Sequence, residues 1–408
     1  MTETFRPQTS DQAIQAVAWA AAEQAPLEVC GRGSKRSLGR PVQASYTLDL
    51  SALRGITLYE PEELVLAAGT GTPLAEIDAA LRDYNQALAF EPPDLGPLLG
   101  GAADAGTLGG AIACNLAGPR RIASGAARDH FLGFHGVSGR GEAFKSGGRT
   151  VKNVTGYDLC KLMAGSYGTL AAMTDMTMKI MPAAEATRTV ALAGLDTAAA
   201  VRALTRGLQS AYAVSGAAYL PADVAASSEV DSVRAAGTGL ALLRVEGPPA
   251  SVVHRAGKIA DALRDMAAPE IIEDSASLAL WREIRDVAPF VGETGRAVWR
   301  LSVPPADGPA TAERIAAAVA DARFFMDWGG GLLWVSVPEG TDACHAAVRG
   351  ALPAAGGHAT LIRAGGGVRA HVPVFQPAEP GVAALTRRLK ANFDPHGILN
   401  PGRMEGGA

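Results

Sequence analysis

Between Lys145 and Pro182 the chain runs KSGGRTVKNVTGYDLCKLMAGSYGTLAAMTDMTMKIMP, and this stretch limits the possible folds more than any other. It opens with Gly147 and Gly148 and passes through Lys152, Asn153, Thr155, Gly156, Tyr157 and Asp158. It then turns apolar, interrupted by Gly165 and Gly168. Glycine has no Cβ, so backbone that carries it can approach a flat ligand closely. The polar side chains between the glycines can hydrogen-bond heteroatoms on a ring edge or a polyol chain. The stretch therefore reads as one wall of a binding site.

Glycine elsewhere shows whether that wall has companions. The 408 residues include 48 Gly, about 12% against the roughly 7% of average usage. The glycines cluster at 31–39, 69–71, 96–118, 133–148, 329–331 and 365–367, so four of the clusters fall in the N-terminal half. Upstream of the first, Ser10 can cap a helix whose Ile14, Val17, Ala18 and Ala21 recur at helical spacing, and Pro26 ends it. LEVCG then predicts a short strand running into Gly31, Arg32, Gly33, Ser34 and Lys35, where backbone N–H groups can converge on an anion. Alone, Gly-Arg-Gly is also an ordinary surface turn. TLDLSAL and ELVLAAGTGT follow as strands, and Pro73 to Tyr84 as an amphipathic helix.

The second loop, 91–118, leads through Gly106, Thr107, Leu108, Gly109 and Gly110 into the small-residue run AIACN, with Asn115 as a candidate hydrogen-bond partner. Small residues bury little area, so either a ligand fills the space or a helix packs tightly on a sheet. The third loop, Ser124 to Glu142, carries Gly125, Arg128 and Asp129, which could touch a ligand or form a local ion pair.

With its GYDL turn, its GSYGTL turn and the strand that follows, the 145–182 stretch resembles the vanillyl-alcohol-oxidase (PCMH-type) FAD-binding family, nearest to the FAD-binding subunits of bacterial glycolate oxidase. The resemblance implies an α+β fold: a two-subdomain FAD-binding domain at 1–184, a cap domain with a helix-covered antiparallel sheet at 185–375, and a segment at 376–408 returning to the FAD domain. It implies FAD, held by Gly31 to Lys35, by 106–110 with Asn115, by Gly125, Arg128 and Asp129, and by Asn153, Thr155, Gly156, Tyr157, Asp158 and Gly168. Asn400 in ILNPG is expected near the ring. Covalent attachment in this family needs a His in the first loop or a Cys in the second. Neither stands at the matching positions, so the FAD is expected to be non-covalent.

Beyond Pro182, strand and helix patterns alternate in two similar halves, as an antiparallel sheet with helices requires. His254, His345, His358 and His371 stand singly, without metal-ligand spacing, so no metal site is expected. Arg285, Arg300 and Arg363 could each bind a carboxylate, and the sequence singles out none of them. The resemblance further implies a complex with a larger FAD-binding glycolate oxidase subunit and an iron–sulfur subunit, in which glycolate becomes glyoxylate. Two alternatives stand beside it: a self-sufficient FAD-dependent dehydrogenase of another 2-hydroxy acid, and a non-catalytic assembly subunit with a vestigial flavin pocket. A nicotinamide Rossmann fold lacks its GxGxxG and acidic partner here.

A formal charge of −4 gives no basic face for nucleic acid, and the pair Arg120, Arg121 reads as a solvated loop. The four cysteines are widely spaced, and no secretory signal or membrane-length apolar run stands out. The expectation is a cytoplasmic protein that meets the membrane only peripherally or through partners.

Overall fold

The computed structural model describes residues 3–149 and 156–405. Asn153 and Thr155, expected in the site, lie outside the described residues. The chain is α+β and divides into two compact units. One comprises Met1–Ala117, Ala126–Pro182 and Pro373–Ala408, and the other Gly118–Gly125 and Ala183–Val372.

In the first unit, strands β1 (Glu3–Phe5), β2 (Leu27–Cys30) and β3 (Tyr46–Asp49) form a parallel sheet ordered β1-β3-β2. Then come β4 (Ile56–Glu60), β5 (Val65–Gly69), β6 (Gln86–Ala87), β7 (Phe131–Ser138), β8 (Ala143–Gly147), β9 (Ala171–Lys179) and β10 (Met181–Pro182). Five of these build an antiparallel sheet ordered β4-β5-β9-β7-β8, while β6 pairs with β10. Helix α1 (Ser10–Ala22) buries Ala13, Val17 and Ala20. Its cap is Thr9 rather than Ser10, because the Thr9 hydroxyl accepts the Gln12 N–H while Ser10 already lies in the helix.

Helices α2 (Leu74–Arg82) and α3 (Leu108–Ala113) bury Ile77, Leu81, Leu108 and Ile112 against Leu66, Phe90, Met176 and Met178. A second core joins α1 and the parallel sheet to Ile398 and Leu399, both fully buried. Each such side chain contributes about 2 kcal/mol of apolar burial, which ties the chain's last residues to β2.

The second unit is an eight-stranded antiparallel sheet: β11 (Ala186–Ala193), β12 (Val214–Leu220), β13 (Leu240–Gly247), β14 (Pro269–Glu273), β15 (Arg296–Ser302), β16 (Arg323–Asp327), β17 (Leu332–Pro338) and β18 (His358–Arg363). The order is β14-β11-β13-β12-β16-β17-β15-β18. Helices Thr197–Leu208, Pro249–Leu263, Asp274–Arg285 and Gly308–Ala318 pack on it. Strand β12 escapes a sequence reading because it is built of small residues. At its Gly216 a Cβ would come within 2.9 Å of the Trp281 ring, so packing across the sheet selects the glycine.

The segment Gly118–Gly125, which includes helix α4 (Arg121–Ser124), belongs to this second unit and is not a solvated loop. Arg120 makes two hydrogen bonds to Glu246 of β13, at 2.9 and 2.5 Å, and Arg244 lies 3.3 Å from the same carboxylate. Burial alone would push the Glu246 carboxyl up, but Arg244 and Arg120 outweigh it and hold the pKa at about 2.

Candidate functional site

A cleft in the first unit gathers the first and second glycine loops. It is lined by Val29 to Arg36, Leu38, Thr70, Thr107, Gly109, Gly110, Cys114, Tyr167, Gly168, Asn400 and Arg403, with several smaller contributors. A second cleft of about 740 Å³ shares Asn400 and Arg403 with it and extends along Gly165, Ser166, Thr169 and Pro373 to Pro377.

The first loop leaves β2 at Cys30 and turns through Gly33, whose φ of +78° favours glycine. Its N–H groups from Arg32 to Lys35 donate to no acceptor among the described residues, whereas Arg36 N–H closes a turn on Gly33 O at 3.1 Å. Four successive uncommitted donors form an anion nest. Lys35 adds its ammonium, which pairs with no carboxylate among the described residues. Burial pushes the Lys35 pKa down, opposed by Cys114 and Asp94. A half-buried cation beside unbonded N–H groups is costly in a fold without a ligand and useful with an anion.

The second loop differs. Leu108 N–H bonds Thr72 O, Gly109 N–H bonds Thr70 O, and Gly110 N–H bonds the Thr107 hydroxyl, so these three donors are committed to the fold. Its glycines serve close approach. A Cβ on Gly109 would lie 2.8 Å from Thr70, and one on Gly31 would lie 2.9 Å from Thr107 Oγ1. Tight packing thus accounts for Gly109, while Gly110 and Gly106 leave room for the Lys35 side chain, 3.8 and 3.4 Å from where their Cβ atoms would stand. Leu108 is fully buried in the core and does not face the cleft.

Asn400 is in the lining, but its amide is committed to backbone. Oδ1 accepts from Val29 N at 2.8 Å, and Nδ2 donates to Val29 O at 3.2 Å and Tyr167 O at 2.8 Å. With both donors used, it clasps β2 to the GSYG turn instead of offering hydrogen bonds to a ring. Gly168, at φ +69°, is shaped by this clasp, since a Cβ there would meet Asn400 Nδ2 at 2.8 Å. Arg403 extends the clasp by donating to Arg36 O and Leu38 O, both at 2.9 Å.

Other expected residues do not line the cleft. Asn115 accepts the Arg128 N–H at 3.1 Å, and the Arg128 side chain lies 3.9 Å from Asp129 as a loose ion pair. Asp129 accepts the Ala126 N–H. Asp158 caps helix α5 (Leu159–Met163) and pairs with Lys161 at 2.8 Å, while Tyr157 and Gly156 are exposed. Gly125 ends α4 in the second unit.

Residues missed in the sequence include Thr70, Cys30, Cys114 and Arg403. Only Arg403, adjoining ILNPG, carried a local signal. Burial raises both thiols, Cys114 to about 11 and Cys30 by a smaller margin, so both are protonated near neutrality. Among the described residues, no group of three or more His, Cys, Asp or Glu is placed to hold a metal, and no helix is long and apolar enough to cross a membrane.

Residues 3–147 match the FAD binding domain family, and residues 374–404 the C-terminal domain of FAD linked oxidases. The chain is 33% identical over 396 residues to the glycolate oxidase subunit GlcE of Escherichia coli (strain K12), covering 97% of each. It is 30% identical over 178 residues to a D-lactate dehydrogenase of Archaeoglobus fulgidus, covering 43% of this chain and 38% of that one. Among solved structures, an alkyldihydroxyacetonephosphate synthase matches with TM-score 0.72 at 18% identity, over 98% of this chain and 76% of that one. p-Cresol methylhydroxylase with substrate bound matches with TM-score 0.70 at 15% identity, over 98% and 88%. At such identities the structural likeness speaks for the PCMH-type α+β fold alone.

Proposed function

Since the chain belongs to the FAD-binding family of the glycolate oxidase subunit GlcE, we propose that it is the FAD-holding subunit of an oxidase or dehydrogenase that converts glycolate, or a close 2-hydroxy acid, to the 2-oxo acid. The observation that carries this reading is the first loop, with four uncommitted N–H groups and the Lys35 ammonium facing a cleft where glycines admit backbone contact.

The residues fit FAD. Arg32 to Lys35 would donate to the diphosphate, Lys35 would neutralise its charge, and Gly31, Gly110 and Gly168 keep the walls free of side chains. The longer cleft along Ser166 and Thr169 offers room for the rest of an extended dinucleotide. When bound, FAD supplies the two-electron acceptor that oxidation of a hydroxy acid requires. The protonated Cys30 and Cys114 thiols favour non-covalent attachment. In this reading 1–184 with 376–408 is the cofactor-binding part and 185–375 the cap. A larger FAD-binding subunit and an iron–sulfur subunit complete the path for electrons.

The test is a visible spectrum of the purified chain before and after acid precipitation, followed by a glycolate assay with and without co-expressed partner subunits. Flavin that is released by acid, with turnover only in the complex, is the expected result. A protein that takes up no FAD defeats the proposal. Brisk turnover by the chain alone would instead favour the self-sufficient dehydrogenase.

A further inference from the structure

The C-terminal helix of the first unit, Pro380–Phe393, is built unlike the others. Among the described residues, every other helix of nine or more residues buries between two and five of its own, whereas this one, 14 residues long, buries none. A helix of that length is marginal in water on propensity alone, and in a folded protein its stability comes from packing an apolar face. Gly381 in the first turn weakens it further. Its last turn is fastened: Lys390 Nζ donates to Thr169 O at 2.7 Å and Leu399 O at 3.0 Å, Arg140 Nε donates to Asn392 O at 2.9 Å, and the Phe393 ring lies 5.9 Å from that of Phe144. From Pro380 to Arg388 every residue is exposed except the half-buried Ala383.

The two sides of the helix differ. Ala383, Thr386, Leu389 and Lys390 line the second cleft. Val382 and Leu385, one turn apart on the outer side, are 57% and 51% exposed, and Arg388 follows Leu385 at i+3. Between Pro380 and Phe393 stand Arg387, Arg388 and Lys390 and no acidic residue, in a chain of net charge −4. The Arg387 and Arg388 side chains make no hydrogen bond or ion pair among the described residues.

An apolar stripe flanked by unpaired cations is complementary to an amphipathic helix that carries carboxylates beside its own apolar stripe. A second copy of this chain would set two basic helices against each other. An anionic bilayer would meet two apolar side chains and no exposed aromatic ring on this helix, less than a surface-binding helix offers. Position narrows the partner further. The inner side of the helix walls the cleft assigned above to part of FAD, so a subunit on the outer side stands one helix diameter, about 10 Å, from that cleft. This is the place for a subunit that takes electrons from the flavin.

We propose that the outer side of helix Pro380–Phe393, centred on Val382, Leu385 and Arg388, docks an acidic amphipathic helix of the iron–sulfur subunit. That the partner is the iron–sulfur subunit rests on the function proposed above; that an acidic, amphipathic protein segment covers this face does not.

The experiment co-expresses the tagged full-length chain with the larger FAD-binding subunit and the iron–sulfur subunit. It measures iron, FAD and each subunit retained per chain at low and high salt. The parent is expected to retain the iron–sulfur subunit, and less of it at high salt. Leu385→Gln and Arg388→Glu should each lower that retention about tenfold or more, with FAD content unchanged. Both substitutions keep a good helix former in place, and circular dichroism of the chain alone should be the same as for the parent. Leu278→Gln, comparably exposed at 55% in the second unit, should retain the subunit as the parent does.

Undiminished retention in both helix variants, or equal loss in Leu278→Gln, would overturn the assignment. So would a parent that retains no iron–sulfur subunit, or helix variants that lose the larger subunit alone. Flotation with phosphatidylglycerol vesicles and sedimentation of the chain by itself add two refutations. Vesicle binding or self-association that both variants weaken, with the iron–sulfur subunit still retained, would make this face a membrane contact or a contact between copies. A chain without FAD that retains the iron–sulfur subunit through this helix defeats the proposed function and leaves the docking face standing; a FAD-loaded complex indifferent to both variants does the reverse.

Discussion

Replacing Lys35 by Met keeps most of the side chain's length and removes its charge, and the structure gives two consequences of opposite sign. In the protein without cofactor the ammonium is half-buried and pairs with no carboxylate among the described residues, so the variant should be as stable as the parent or slightly more so, within about 1 kcal/mol. FAD affinity should fall, because a hydrogen bond between charged partners contributes about 1.5–3 kcal/mol, or roughly 10- to 100-fold in Kd. The pH dependence follows from linkage. Burial lowers the Lys35 pKa from 10.5 in the empty protein, and a bound diphosphate raises it again. The affinity gain is thus complete below the lowered pKa and is lost as pH rises through it toward the value in the complex. The Met variant should show no such slope. FAD titration by quenching of flavin fluorescence, with thermal unfolding of the apo protein in parallel, measures both effects. A variant that loses stability while binding FAD as before would refute the argument and make Lys35 a structural residue.

Three further outcomes follow from the same geometry. Gly168→Ala places a Cβ at φ +69° and 2.8 Å from Asn400 Nδ2, which should cost about 2–4 kcal/mol in denaturant unfolding; Gly33→Ala, at φ +78° with only the Arg36 side chain near, should cost about 1–2 kcal/mol. Asn400→Asp keeps the acceptor for Val29 N but turns a carboxylate on the carbonyls of Val29 and Tyr167, so it should lose about 2 kcal/mol or more and weaken FAD binding, measured on the same samples. For Glu246, whose folded pKa is depressed from 4.5 to about 2, the associated stability of about 3 kcal/mol is present above pH 4.5 and is lost as pH falls toward 2. Glu246→Gln should be less stable at neutral pH by a similar amount, because Arg120 and Arg244 lose their anion, and its acid unfolding curve should lack that slope. An unchanged slope would show that other carboxylates govern acid unfolding.

How much was legible from sequence differs between neighbouring residues. The first loop was readable because its chemistry is local: a strand, two glycines and a lysine within a few positions already make a nest whose donors have nowhere else to go. The second loop was visible as glycine and small residues, yet local sequence could not separate a ligand cradle from close packing. Thr70 decides that question for Gly109. ILNPG was recognisable as a motif, but the backbone clasp made by Asn400 was not legible, since its partner Val29 lies 371 residues away. The pair Arg120, Arg121 looked like a solvated turn until β13 supplied Glu246 and the β16–β17 turn supplied Trp328.

Sequence by itself determined the α+β class, the family and the glycine-rich turn of the first loop, because glycine placement and hydrophobic period act over a few residues. Only the tertiary structure decided which donors stay uncommitted, which asparagine is a clasp and which arginine stands on an aromatic ring. Those properties depend on partners from distant segments, and a side chain's hydrogen-bonding capacity can be assigned only when every group within about 3.5 Å is known.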